Sequence, residues 1–306
     1  MSKIKKALSM SYLVLAAVIW GVAFVAQVDA INYVGSFTYT GVRFGLGALS
    51  LIPIILIFER GAKGGEKLKS TFIAGILAGV ILFAAVNLQQ VGIEMTQSAG
   101  KAGFITGLYT VIVPVIGIFI GRRSGLSIWI GAVCACVGLY LLSVTNGFAA
   151  PETGDIVLFA GALLWAVHIL VIDKFVGGIY PLRFSALQFS VCAAISMACA
   201  FAFETVSLRG ILAGYAPILY GGVLSAGIAY TLQIVGQKDV EPAKAAIVFS
   251  MESLFAAIGG ALILGERMTA RGYIGCGFIF AGIIVSQLTF AKPEKPVQNA
   301  KDPEGA

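Results

Sequence analysis

The apolar stretches of this sequence contain very few side chains that can carry charge, and each is a candidate for chemistry. Glu252 shares a helical face with Ala245, Val248, Phe249, Phe255, Ala256 and Gly259. A carboxyl in such surroundings can carry a proton or meet a substrate amine. The plainer alternative is a neutral acid hydrogen-bonded to a neighbouring backbone. Arg43, in VRFGLG, offers a planar fork of donors that matches a carboxylate or phosphate bidentately. It could equally brace a packed helix against carbonyl groups. Asn87 and Gln90 share a face with Phe83 at i+4 and i+7 spacing. They suit either a polar vestibule, with Glu94 and Lys101 beyond them, or hydrogen bonding between helices. Trp20, Phe24 and Gln27 share another face, and Trp165 precedes His168 by three residues. Aromatic walls of this kind can stack on a planar or cationic substrate, although core packing is the commoner use. His168 is a candidate proton carrier or a satisfied core histidine. Tyr109 and Tyr230 complete the set of lining candidates.

Several chemistries are absent. His168 is the single histidine, and the five cysteines lie in apolar runs with no Cys-x-x-Cys pair. They read as small buried packing residues. No metal-ligand spacing, phosphate loop or nucleophile–base arrangement occurs. No metal, cofactor or catalytic residue is therefore expected, and Gly221-Gly222 and Gly259-Gly260 read as packing glycines.

What must position the candidates is set by composition. Of 306 residues, 58% are hydrophobic and 12% charged, with a mean hydropathy of +0.94. Ordinary soluble domains carry about 25% charged residues, so this chain cannot cover a globular surface with water-facing groups. The apolar runs are long and continuous, which suits helices of about 20 residues and not the short alternating strands of an outer-membrane barrel. Ten spans are expected, over 9–28, 35–58, 71–91, 98–121, 125–145, 154–173, 181–203, 211–235, 243–264 and 270–290. The fold class is an all-α integral membrane protein. MSKIKKALSM resembles a signal-peptide start, but no convincing cleavage site follows, so 1–8 is read as a retained cytoplasmic N-terminus. Residues 291–306 are read as a disordered cytoplasmic tail.

Orientation follows from the basic residues. With the N-terminus inside, sixteen of the 21 Lys and Arg fall in inside segments and four outside, while Arg43 lies within a span. The net charge of +6 is thus a topology signal and not a nucleic-acid footprint. Both termini are expected in the cytoplasm, in the inner (cytoplasmic) membrane.

The two halves repeat. At an offset of 145, Trp20 matches Trp165, Phe44 matches Phe189 and Glu59 matches Glu204. At 144, LQQVG (88–92) matches LQIVG (232–236), Gly121 matches Gly265, Gly131 matches Gly275 and Gly138 matches Gly282. Each repeat, 9–145 and 154–290, holds five spans. An odd number inverts the second copy, giving two inverted five-helix repeats, the usual basis of alternating access with a site near the midplane. At that depth an ionisable group costs at least about 2.5–3.5 kcal/mol and is a functional candidate by default. Pro53 and Pro114 can hinge their helices. The glycines of spans five and ten make small-residue stripes suited to close packing, a scaffold role that could include a homodimer contact.

The stretches VIWGVAF, VRFGLGALSLIPI, LYTVIVPVIGIFIGR and ALILGERMTARGYIGCGFIFAGIIV resemble the EamA-type transporters of the drug/metabolite transporter superfamily. The resemblance runs over about 9–290. It implies ten helices, cytoplasmic termini, fifth and tenth spans flanking the core, and export or exchange of small metabolites. Two departures stand out: Gly-Arg-Arg at 121–123 where a Gly-Glu is usual, and Glu252 where other members vary. The expected function is a secondary transporter, exporting or exchanging a small metabolite or amino acid, coupled to protons or to exchange. The alternatives are a multidrug or organic-cation exporter and, in a different class, an intramembrane enzyme or lipid-handling scaffold. The expected partners are a small-molecule substrate, the bilayer, a coupling proton and a second copy as homodimer.

Overall fold

The computed structural model describes residues 3–61, 65–97, 99–122, 124–143, 151–263 and 269–288. The tail, Arg123 and the Gly-Glu-Arg turn lie outside the described residues. Among the described residues no strand occurs, and nine helices are long and apolar enough to cross a membrane, with a shorter apolar one over Leu126–Leu142.

The first half runs α1 (Lys3–Ala30), α2 (Ser36–Phe58), α3 (Glu66–Thr96), α4 (Ala99–Gly107), α5 (Tyr109–Phe119) and α6 (Leu126–Ser143). The second runs α7 (Thr153–Phe175), α8 (Pro181–Phe203), a short α9 (Leu208–Ala213), α10 (Tyr215–Leu219), a wide π-helical stretch Tyr220–Tyr230, α11 (Thr231–Gln237), α12 (Pro242–Phe249), α13 (Met251–Ile263) and α14 (Ala270–Gln287). The fourth span of each half is interrupted once. At Leu108 the chain tightens to i+3 bonding, with Leu108 N–H donating to Ile105 and Val111 N–H to Leu108; Gly107 and Pro114 flank the break. At Ser250 the side-chain hydroxyl donates to the Ile247 carbonyl at 2.6 Å. Local bonding of this kind competes with the helical ladder.

The largest interfaces join one half to the other: α6 with α14, α2 with α8, α3 with α7 and α8, and α1 with α13. The two repeats interdigitate and share one core. On α6 and α14 the glycine stripes face each other inside a single chain. A Cβ at Gly138 would fall 2.6 Å from the Gly275 carbonyl oxygen, and one at Gly131 would fall 2.7 Å from that of Gly282. Only glycine lets the two backbones approach so closely.

The α2–α8 pair is fixed differently. Glu204, just after α8, accepts from the Phe37 and Thr38 amides at 2.8 Å each and from the Thr38 hydroxyl at 2.7 Å. Glu59, just after α2, accepts from the Leu182 and Arg183 amides at 3.0 and 3.1 Å. Each carboxylate thus satisfies the orphan N–H groups that open the partner helix, where the dipole favours negative charge. The two caps are repeat mates, donor for donor, one at each end of the pair.

Lys5 and Ser9 meet Asp239 at 3.4 and 3.1 Å, and Arg122 pairs with Asp173. These contacts gather at the end of the bundle that holds Lys3 and Leu288, here the terminal end. Large apolar side chains such as Phe58, Phe119 and Phe203 cover the outside, Phe119 being 85% exposed. That surface is matched to hydrocarbon and not to water.

Candidate functional site

A cavity of about 500 Å³ of empty space lies midway along the bundle, where the interrupted fourth spans meet α1, α3, α7 and the π-helical stretch. An apolar cluster with Leu13, Val113, Val240 and Ile247 flanks it toward the terminal end. Another, with Ile93, Ala102 and Leu158, flanks it toward the opposite end.

The wall is built from both halves. Trp20 and Trp165, repeat mates, stand on α1 and α7. Tyr230 joins them: its ring lies 4.8 Å from Trp20 edge-on and 6.0 Å from Trp165 in a stack. Phe249 closes on Trp20 at 5.3 Å. Behind Tyr230 the mates Phe44 and Phe189 pack on each other at 5.6 Å. The indole N–H groups are satisfied. Trp165 donates to Gln89 at 2.9 Å, and Trp20 donates to the Ser225 carbonyl of the π-helical stretch at 3.4 Å.

Two ionisable groups enter this aromatic frame. Glu252, in the first turn of α13, is 7% exposed and accepts from the Tyr109 hydroxyl at 3.0 Å. Tyr109 opens α5, so the two helix breaks deliver both partners of this hydrogen bond. Arg43, on α2, is 3% exposed. Its guanidinium is held between the Tyr39 and Phe44 rings at 4.9 and 4.8 Å, a cation–π clamp. Its Nε has no hydrogen-bond partner, and no carboxylate among the described residues forms an ion pair with it. With no carboxylate partner, the guanidinium has donors to offer an anion that enters the cavity.

Of the residues singled out from the sequence, the cavity brings together Glu252, Arg43, Trp20, Trp165, Tyr109 and Tyr230. Three lie elsewhere. Asn87 donates to the Phe83 carbonyl at 2.8 Å and the Ser196 hydroxyl at 3.0 Å, pinning α3 to α8. Gln90 donates to the Gln27 carbonyl at 3.1 Å and is fully buried. His168 sits behind Tyr230, with Nε2 3.0 Å from Gln188 Oε1 and its Nδ1 unpartnered. Sequence reasoning passed over Gln89, Gln233, Thr106 and Ser225, all of which line the cavity. A signal for two of them was present, since Gln89 and Gln233 are mates in the repeated LQQVG and LQIVG.

The description EamA-like transporter family matches the chain twice, over residues 7–144 and 152–288. The chain belongs to the EamA-like transporter family. Among its relatives, an uncharacterized transporter of Archaeoglobus fulgidus is 28% identical over 280 residues, 90% of this chain and 84% of the relative. The threonine/homoserine exporter RhtA of Escherichia coli is 25% identical over 273 residues, 86% of this chain and 85% of the exporter. A solved crystal structure with 18% identity superposes at a TM-score of 0.76 over 91% of this chain and 96% of its own, the same fold. This EamA-like chain is therefore a multi-pass membrane transporter acting on a small molecule.

Proposed function

We propose that this chain is a secondary transporter that exports or exchanges a small metabolite or amino acid across the cytoplasmic membrane by alternating access, with both termini in the cytoplasm. The observation that carries the reading is the central cavity itself. Both inverted halves contribute to it, it lies at two helix interruptions, and it holds one cation and one carboxyl. Interrupted helices with a site between repeats are how transporters of this architecture expose polar groups at depth. RhtA, a relative named as an amino-acid exporter, favours that substrate class. The excess of Lys and Arg in the loops assigned to the inside supports the orientation.

In this reading Arg43 attracts the substrate's anionic group. Glu252 is the group that can load and release a proton as the cavity changes sides, with the Tyr109 hydroxyl steadying its carboxylate form. Coupling to a proton gradient or to a counter-substrate supplies the energy. Purified protein in liposomes, assayed against a panel of metabolites with and without a pH gradient, tests this. Saturable flux of one class is the expected result, and no flux across a broad panel overturns it.

An organic-cation exporter is a second reading, favoured by the aromatic wall beside Glu252. The unpaired Arg43 in the same cavity opposes it, because a cationic solute would meet a fixed like charge.

A further inference from the structure

We propose that the first turns of α6 and α12, at the terminal end of the bundle, form a phosphate site that takes the headgroup of a membrane phospholipid. The site is separate from the central cavity. A cleft at that end is lined by residues 125–128 at the start of α6, by Glu241 and Lys244 at the start of α12, and by Leu288 after α14. Two helices thus begin at one cleft, and both begin without a side-chain cap. Gly125 has no side chain to offer α6. Its carbonyl accepts from Ile128 and Trp129, which leaves the Leu126 and Ser127 N–H groups over. The repeat mate of Gly125 is Thr269, whose hydroxyl accepts from Gly272 at 3.2 Å and closes the start of α14. α12 opens after Glu241 with no side-chain cap bond and with Pro242 in its first turn. The repeat therefore supplies a cap at the far end of the molecule and leaves open helix starts at the terminal end.

Two side chains turn these helix starts into a site. Ser127 is 7% exposed and lines the cleft, and its hydroxyl has no partner among the described residues. It lies over the helix start, since a Cβ at Gly125 would fall 3.9 Å from Ser127 Oγ. Lys244 is half-buried and forms no ion pair among the described residues, although Glu241 lines the same cleft. Amide, hydroxyl and ammonium are all donors, and each helix start adds positive potential. Glu241, which is exposed, is the opposing charge. It disfavours a doubly charged free phosphate more than the single charge of a phosphodiester.

The flank of the cleft favours a lipid over a solute. Leu126 and Leu288 line it and are largely exposed. One turn nearer the middle of the bundle, Ile130 on α6 and Ile284 on α14 are exposed as well. Apolar side chains thus lead from the phosphate donors toward the bilayer interior, where acyl chains lie. Basic pockets between helices at the membrane edge bind headgroups in this way. Because α12 ends at the Ser250 interruption, a bound headgroup ties the half-helix that leads to Glu252 to the α6–α14 pair.

The test uses intact protein stripped of lipid in detergent and titrated with dioleoyl phosphatidylglycerol, read by native mass spectrometry and thermal shift. Dioleoylglycerol keeps the chains and lacks the phosphate; inorganic phosphate lacks the chains. Phosphatidylglycerol should bind at least about tenfold more tightly than dioleoylglycerol, and an equal concentration of phosphate should not displace it. Lys244→Gln should weaken it by about tenfold and Ser127→Ala severalfold. Lys238→Gln, which removes the same charge at the same end but off the cleft, should bind like wild type. Equal binding of dioleoylglycerol overturns the proposal, as does an equal loss in Lys238→Gln. Displacement by phosphate assigns a soluble phosphate and overturns the lipid as occupant. If Lys244→Gln does not fold, Ser127→Ala and the wild-type competition decide. No outcome depends on a transported solute, so failure here leaves the transporter reading untouched.

Discussion

Glu252 is the residue on which the coupling argument turns. Glu252→Gln keeps the size and the acceptor oxygen facing Tyr109 but cannot titrate. Flux in that variant should become independent of an imposed pH gradient while the protein folds normally, measured in liposomes against wild type. Wild-type, gradient-driven flux would make Glu252 a structural residue. Legibility at this scale was uneven. Arg43 and Glu252 stand out in the sequence because charge in an apolar run is rare and expensive. Gln89 does not, because successive helical residues point about 100° apart, near the 3.6-residue period. A small error of phase therefore exchanges Gln89 on the wall for Gln90 against the Gln27 carbonyl. His168, the single histidine, drew notice by its chemistry, yet it packs behind Tyr230.

Helices and their pairings are held by devices of different strength. Gly138→Leu would drive a branched side chain into the Gly275 backbone. Overpacking costs about 1–3 kcal/mol, occasionally more, so a marked fall in thermal stability and in membrane yield is expected by fluorescence-detected size exclusion. Glu204→Gln should act more gently. It keeps one acceptor oxygen for the first turn of α2 but loses the charge-assisted character of the bonds, about 1–2 kcal/mol. The mate variant Glu59→Gln should lose a similar amount at the other end of the pair. A thermal shift in Glu204→Gln as large as that of Gly138→Leu would contradict this ranking. The glycine stripes were visible in the sequence as seven-residue spacings. The caps were not, since Glu59 meets Leu182 across 123 positions and nothing local announces the pairing. The interruption at Ser250 was equally hidden, because serine is an ordinary residue in a membrane helix until its hydroxyl bonds back to Ile247.

For the whole molecule, the long apolar runs and the repeat made the helical architecture legible, while the cavity needed coordinates. Cysteine-accessibility labelling of the intact protein should place the 60–70 and 174–183 loops in the cytoplasm and the 146–154 loop outside. An external 60–70 loop would overturn the orientation. The interlocking of the halves has a consequence for how the protein is made. Gly131 on α6 waits for Gly282 on α14, which is 151 residues later in the chain. At about 5–20 residues per second of synthesis, the first half sits in the bilayer for roughly 8–30 s with its glycine face uncovered. Of the described helices α14 is made last, and a nascent chain cut short before it leaves the glycine face of α6 without its partner.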